Sequence, residues 1–168
     1  GMKTIVIAID FSTAAHNAAV YGVSLAKDIN AKIILFTAYK VSSPAPAMQV
    51  GVSPFSVMVQ TESRLSDEAK TLHPGKITVD IIAAEGDADN AIVNIAIEKK
   101  ADLIIAGMKG SGKNLKKLLG STAASLAAIS TIPVLIIPEN ASYEKPGIIL
   151  CASDAKQGAI VIPEYLQK

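Results

Sequence analysis

The chain has 168 residues, half of them hydrophobic, one cysteine, a net charge of +1 and aromatics at only 4%. That length suits one domain of ordinary size with a fragment left over, and that apolar share excludes a disordered chain. Near-zero charge and scarce aromatics exclude a general nucleic-acid binder, which needs a basic surface or stacking platforms.

Gly1, ahead of Met2, reads as an expression scar. Residues 3–9 (KTIVIAI) are a nearly continuous β-branched run, the pattern of a strand buried on both faces. The run is too short for a signal peptide and ends at Asp10-Phe11-Ser12. Ser12 or Thr13 then caps a helix whose apolar positions, Ala14, Ala18, Tyr21, Leu25 and Ile29, recur at steps of three and four. Residues 32–38 (KIILFTA) form the second strand, giving a β-α-β unit with a right-handed crossover. Residues 40–54, rich in Ser, Pro and small side chains, are a long loop, read equally as a functional lid or as a variable insertion.

Residues 55–72 are expected to be helical, with Met58, Leu65, Ala69 and Leu72 inward and His73-Pro74-Gly75 as the stop. Residues 76–83 follow as a third strand whose alternation suits a place near the sheet edge. Asp87 and Asp89 favour a helix start, and that helix carries Ala88, Ile92, Ile95 and Ala96 inward before ending at Lys99-Lys100. Residues 103–106 make the fourth strand, and a glycine-rich loop with four lysines follows it. Gly120-Ser121-Thr122 opens an alanine-rich helix, and residues 133–137 make the fifth strand. The charge-free stretch 118–138 is interrupted by Gly120 and Pro133, so it reads as a buried helix and strand and not as a membrane span.

Strands therefore alternate with helices. The expected class is α/β, a doubly wound, mainly parallel five-stranded sheet of Rossmann-like order 3-2-1-4-5 with helices on both faces. Ligands on such sheets bind at the carboxyl ends of the strands, near a topological switch point, and Asp10, Ala38 and Gly107 all fall on that edge.

The domain is expected to span residues 2–140, with a linker and a partial repeat over 141–168. Residues 147–155 (GIILCASDA) repeat the start of the chain, with Asp154 in the place of Asp10. They read either as a degenerate extra strand or as the opening of a truncated second domain, and the second is the expectation. Residues 160–166 are expected to begin a helix, shortened or kinked at Pro163. The single cysteine, Cys151, excludes an internal disulfide and fits a cytoplasmic location.

A strand, a glycine turn and a helix N-terminus in succession make an anion-binding arrangement, because backbone N–H groups converge there and the helix dipole favours negative charge. Residues 107–114 (GMKGSGKN) nearly spell the P-loop G-x-x-x-x-G-K-S/T, in which Lys113 would reach the phosphates. Against it, Asn114 replaces the magnesium-binding hydroxyl, and no later strand ends in an aspartate suited to the metal. The other spacing is Gly107-x2-Gly110-x9-Gly120-Ser121. Together with the first strand ending in Asp10, ADLIIAG before the loop and TIPVLIIPE after the helix, it resembles the universal stress protein family from Met2 to about residue 140.

That resemblance implies a bound adenine nucleotide, ATP or AMP, with or without Mg2+. By it, Asp10 and Gly107 contact the ribose, Ala38 meets the adenine through its backbone, and Gly110, Gly120, Ser121 and Thr122 hold the phosphates. The chemistry suits these roles: a carboxylate accepts from ribose hydroxyls, glycine admits backbone close to phosphate, and hydroxyls at a helix N-terminus add donors. Phe11, Ser12, Ala106 and Met108 flank these positions and complete the candidate set. Met108-Lys109 departs from the small or polar pair common between the first two glycines.

No general base or nucleophile is evident, since Ser12 reads as an N-cap and His16 and His73 as structural or exposed residues. The expectation is a ligand-regulated stress-response module that is not an enzyme, or hydrolyses ATP slowly at most. By resemblance it pairs through its fifth strand, as a homodimer or between tandem domains, and has no nucleic-acid or membrane partner. The alternative is a nucleotide-free dimerisation protein that keeps its glycines for packing.

Overall fold

The structure, a computed structural model, describes residues 1–41, 53–109, 121–143 and 160–161. The strands are β1 (Thr4–Ala8), β2 (Lys32–Tyr39), β3 (Val79–Glu85), β4 (Leu103–Met108), β5 (Val134–Pro138) and the two-residue β6 (Ile160–Val161). They form one sheet of order β3-β2-β1-β4-β5-β6 with every pairing parallel. The helices are α1 (Thr13–Ile29), α2 (Pro54–Thr71), α3 (Ala88–Glu98) and α4 (Ser121–Ile129). The doubly wound order 3-2-1-4-5 is thus present, with β3 at one edge as its alternation suggests. No helix among the described residues is long and apolar enough to cross a membrane.

Strand side chains alternate faces, and each face has its own core. Ile5, Ile7, Ile33, Leu35, Ile105 and Ile137 point to the side covered by α1 and α2. Val6, Ile34, Phe36, Ile104, Ala106 and Ile136 point to the side covered by α3 and α4. This double burial explains why the runs TIVIA and KIILFTAY have no polar face. Each fully buried Ile, Leu or Phe contributes about 1.5–3 kcal/mol relative to exposure.

Helix α1 sits very close to the sheet. Its buried face is Ala14, Ala15, Ala18, Ala19, Tyr21, Gly22, Val23 and Ala26, whereas Leu25 is only partly buried and Ile29 is 47% exposed. The expected stripe holds at Ala14, Ala18 and Tyr21 and is corrected at Leu25 and Ile29, while the short gap between helix and strands widens the buried face with further small side chains. Helix α2 buries Leu65 and its C-cap Leu72 fully, with Met58 and Ala69 half-buried. Helix α3 buries Ile92, Val93 and Ala96, leaving Ile95 half-buried and Ala88 exposed.

Two further differences from expectation concern the later strands. β4 does not end at Ala106; Gly107 and Met108 stay in the ladder opposite Ile137 and Pro138. Ile160 and Val161 are not helical but pair with Val134 and Leu135 on the outer edge of β5. The repeat at 147–155 and the loop at 42–52 lie outside the described residues.

After β5 the chain is fastened to α1. The Asn17 amide donates to the carbonyls of Pro138 (3.1 Å) and Ala141 (2.9 Å). Tyr143 meets Tyr21 edge to face at 5.1 Å, and its hydroxyl donates to Asp28 Oδ2 at 2.7 Å.

Candidate functional site

Strand β1 delivers Asp10 to the carboxyl edge of the sheet. The ladder runs one residue past β1, with the buried Ile9 donating its N–H to Phe36 at 2.7 Å, and Asp10 then emerges exposed. Its Oδ1 accepts from the Ser12 N–H at 2.9 Å, closing an Asx turn. Ser12 in turn caps α1, its Oγ accepting from Ala15 N–H at 3.1 Å. The cap read from the sequence is therefore in place, and it is worth about 1 kcal/mol. Asp10 Oδ2 makes no hydrogen bond among the described residues.

Between the two sits Phe11 at φ 62, a left-handed conformation that costs an L-residue about 1–2 kcal/mol. What offsets that cost is nearby. The Asx turn and the cap bracket the residue, its ring packs partly against the α1/α2-side core, and the Arg64 guanidinium stacks 3.8 Å from the ring centroid. Such a cation–π contact at an exposed position contributes about 0.5–1 kcal/mol. Four residues on along α2, Glu68 Oε1 meets His16 Nδ1 at 2.7 Å in the first turn of α1. Sequence reasoning passed over both Arg64 and Glu68, whose partners lie some fifty positions away and leave no local pattern.

The other candidate residues on this edge come from β2 and β4. Ala8 is level with Phe36, which places Ala38 two residues further along, beside Asp10. Ile7 is level with Ile105, so Ala106 and Gly107 stand beside Ala8 and Ile9. Ala8, Ala38, Ala84 and Ala106 all face the α3/α4 side. Small side chains thus stand on four adjacent strands near the carboxyl edge, with Ala106 buried and the others partly buried, and Ala8 and Ala84 were not in the sequence-derived set.

Gly107 has a packing role. A Cβ there would stand 2.4 Å from the Ala14 carbonyl oxygen and 3.0 Å from Ala15 N, so only glycine lets the first turn of α1 rest on β4. The Met108 side chain is buried in the α3/α4-side core, so its backbone is what it can offer a ligand.

Helix α4 starts at Ser121 after β4, so its N-terminal backbone N–H groups open toward the same edge as Asp10. Gly110, Lys113 and Gly120 lie outside the described residues, as do the side chains of Ser121 and Thr122. Among the described residues, no group of three or more His, Cys, Asp or Glu could hold a metal ion. A separate groove of about 520 Å³ lies at the opposite end of the sheet, lined by Lys32, Asp80, Lys99 and apolar residues of β2 and β3. Its cations are already paired, Lys32 with Asp80 at 2.7 Å and Lys99 with Glu98 at 3.2 Å.

Comparison with known proteins gives a consistent result. The universal stress protein family matches residues 1–138. A universal stress protein of Synechocystis sp. is 30% identical over 139 residues, covering 81% of this chain and 85% of that protein. The stress response protein NhaX of Bacillus subtilis is 26% identical over 159 residues, covering 79% of this chain and 96% of that protein. Among solved structures, a universal stress protein crystallised in complex with cAMP superimposes with a TM-score of 0.58 at 27% identity, over 82% of this chain and 98% of that one.

Proposed function

The chain belongs to the universal stress protein family, and from that premise we propose that it is an adenine-nucleotide-binding stress-response module. The observation that carries this reading is Asp10: an exposed carboxylate, fixed by the Ser12 N–H, between the Ala38 backbone and the opening of α4. It stands at the switch point of a doubly wound sheet, where such folds take their ligands. The structural relative bound to cAMP supports the choice of ligand class.

In this reading Asp10 accepts from the ribose hydroxyls, and the backbone at Ala38 and Gly107 flanks the nucleoside. Gly110, Gly120, Ser121 and Thr122 take the phosphates of AMP or ATP at the α4 N-terminus. Mg2+ would reach this site through the phosphates of ATP. The role in this reading is binding, with ATP hydrolysed slowly at most, and Ser12 Oγ serves as the helix cap. In assembly, β5 is the edge for a homodimer or for pairing between tandem domains, and β6 must leave Val134 and Leu135 for that to occur.

One observation favours a second reading. Gly107 is required by the approach of α1, so one glycine of the motif is explained without any nucleotide. Isothermal titration with AMP, ATP and cAMP separates the two. Saturable binding lost in Asp10→Ala supports the nucleotide module; no heat with the wild type leaves the nucleotide-free interaction protein.

A further inference from the structure

Helix α2 reaches the Asp10 turn at two points one helical turn apart. Arg64 stacks on Phe11 and Glu68 bonds His16, and these α2 residues are i and i+4, on one face. With Ser12 as N-cap, Phe11 is N′ and His16 is N4, so the two grips fall on either side of the cap. The two grips therefore bracket the start of α1, and the residue they press on most directly is the one at φ 62. If Phe11 relaxed out of the left-handed region, Ser12 N–H would swing away from Asp10 Oδ1 and the carboxylate would lose its bearing.

We propose that Arg64, with Glu68 behind it, is a positioning residue for the ligand site: by holding Phe11 left-handed it aims the Asp10 carboxylate at a ribose. This rests on the nucleotide reading for its ligand, but the strut itself is a property of the free protein. Arg64 touches no nucleotide in this arrangement; it acts through Phe11.

The test uses adenosine and AMP as probes on the full chain, with Arg64→Ala, Arg64→Lys, Phe11→Gly and the double variant Phe11→Gly/Arg64→Ala. Arg64→Ala is expected to weaken adenosine and AMP equally, by about two- to fivefold. Arg64→Lys, which keeps a cation over the ring, is expected to restore most of the affinity. Glycine tolerates the left-handed turn unaided, so Arg64→Ala should add nothing in the Phe11→Gly background. A loss confined to AMP would make Arg64 a phosphate contact and overturn the proposal, as would a lower Tm with unchanged affinity. Amide exchange at Ser12, measured without ligand, is expected to quicken in Arg64→Ala and not in Arg64→Lys. If the wild type takes up no adenine compound, the nucleotide reading falls while this exchange still decides the strut: faster exchange upholds it and unchanged exchange removes it.

Discussion

Gly107 and Ala14 meet backbone to backbone: a Cβ on the glycine would lie 2.4 Å from the Ala14 carbonyl oxygen. Gly22 makes a comparable approach from α1, where a Cβ would lie 2.5 Å from Ile7 Cδ1. The two contacts differ in what can yield. At Gly107 the obstacle is the first turn of a helix, and at Gly22 it is the far end of a side chain. Gly107→Ala is therefore expected to cost the upper part of the range for overpacking, about 1–3 kcal/mol. Gly22→Ala also gains about 1 kcal/mol of helix propensity and should fall within about 1 kcal/mol of the wild type. Urea midpoints at constant m-value measure both, and equal losses would show that α1 can move as easily as Ile7.

Asp10 divides its carboxylate between the protein and a ligand, and the two halves can be separated. Asn keeps an oxygen to accept the Ser12 N–H, so Asp10→Asn should leave the melting temperature nearly unchanged. It removes the charge offered to the ribose hydroxyls. Hydrogen bonds to charged groups are worth about 1.5–3 kcal/mol, so AMP should bind roughly ten- to a hundredfold more weakly. Titration calorimetry beside a thermal melt reads the two effects together. A large fall in stability with intact affinity would assign Asp10 to the fold alone.

Some of this was legible in the sequence, and the reasons are physical. β1 and β2 announce themselves because strands buried on both faces have no polar face, and Ser12 because a hydroxyl before an apolar stripe is a strong cap signal. On α1 the expected stripe is buried at Ala14, Ala18 and Tyr21, while Leu25 is only partly buried and Ile29 exposed. Steps of three and four find one narrow stripe, while a helix this close to its sheet buries a wider face that adds Ala15, Ala19, Gly22, Val23 and Ala26. The end of β4 was misplaced because a glycine usually breaks a strand, and here it makes way for a neighbouring helix while staying in the ladder. Phe11, Arg64 and Glu68 were beyond local reading: the strain at φ 62 and its supports appear only when α2 is laid beside α1.

Asn17 carries the junction between β5 and α1. Its half-buried amide satisfies the carbonyls of Pro138 and Ala141 at once, and Pro138 closes the β4–β5 ladder opposite Met108. Asn17→Ala strands the Ala141 carbonyl, while the Pro138 carbonyl keeps the Ala141 N–H at 2.9 Å. The substitution is expected to cost about 1–3 kcal/mol. Tyr143→Phe removes an exposed hydroxyl bond to Asp28 and keeps the edge contact with Tyr21, so a smaller loss of about 0.5–1.5 kcal/mol is expected. Chemical denaturation ranks the pair. The reverse order would mean that the ring stack with its hydroxyl, and not Asn17, fastens the end of β5.

The outer edge of β5 has two claimants. Val134 and Leu135 pair with Ile160 and Val161, and the same edge is the surface we propose for a second copy. An edge strand offers one row of N–H and C=O groups, so the two pairings exclude each other. Proline has no N–H to give a ladder and its ring crowds a neighbouring strand, so replacing both Ile160 and Val161 by proline should unseat β6. The chain so changed is expected to self-associate more strongly than the wild type in sedimentation equilibrium. Added AMP should shift that equilibrium further if ligand and assembly are coupled, by the same factor that assembly changes AMP affinity. A variant that stays monomeric at every concentration would move the assembly surface off β5. A wild type already dimeric, with the variant unchanged, would show that β6 yields the edge without help.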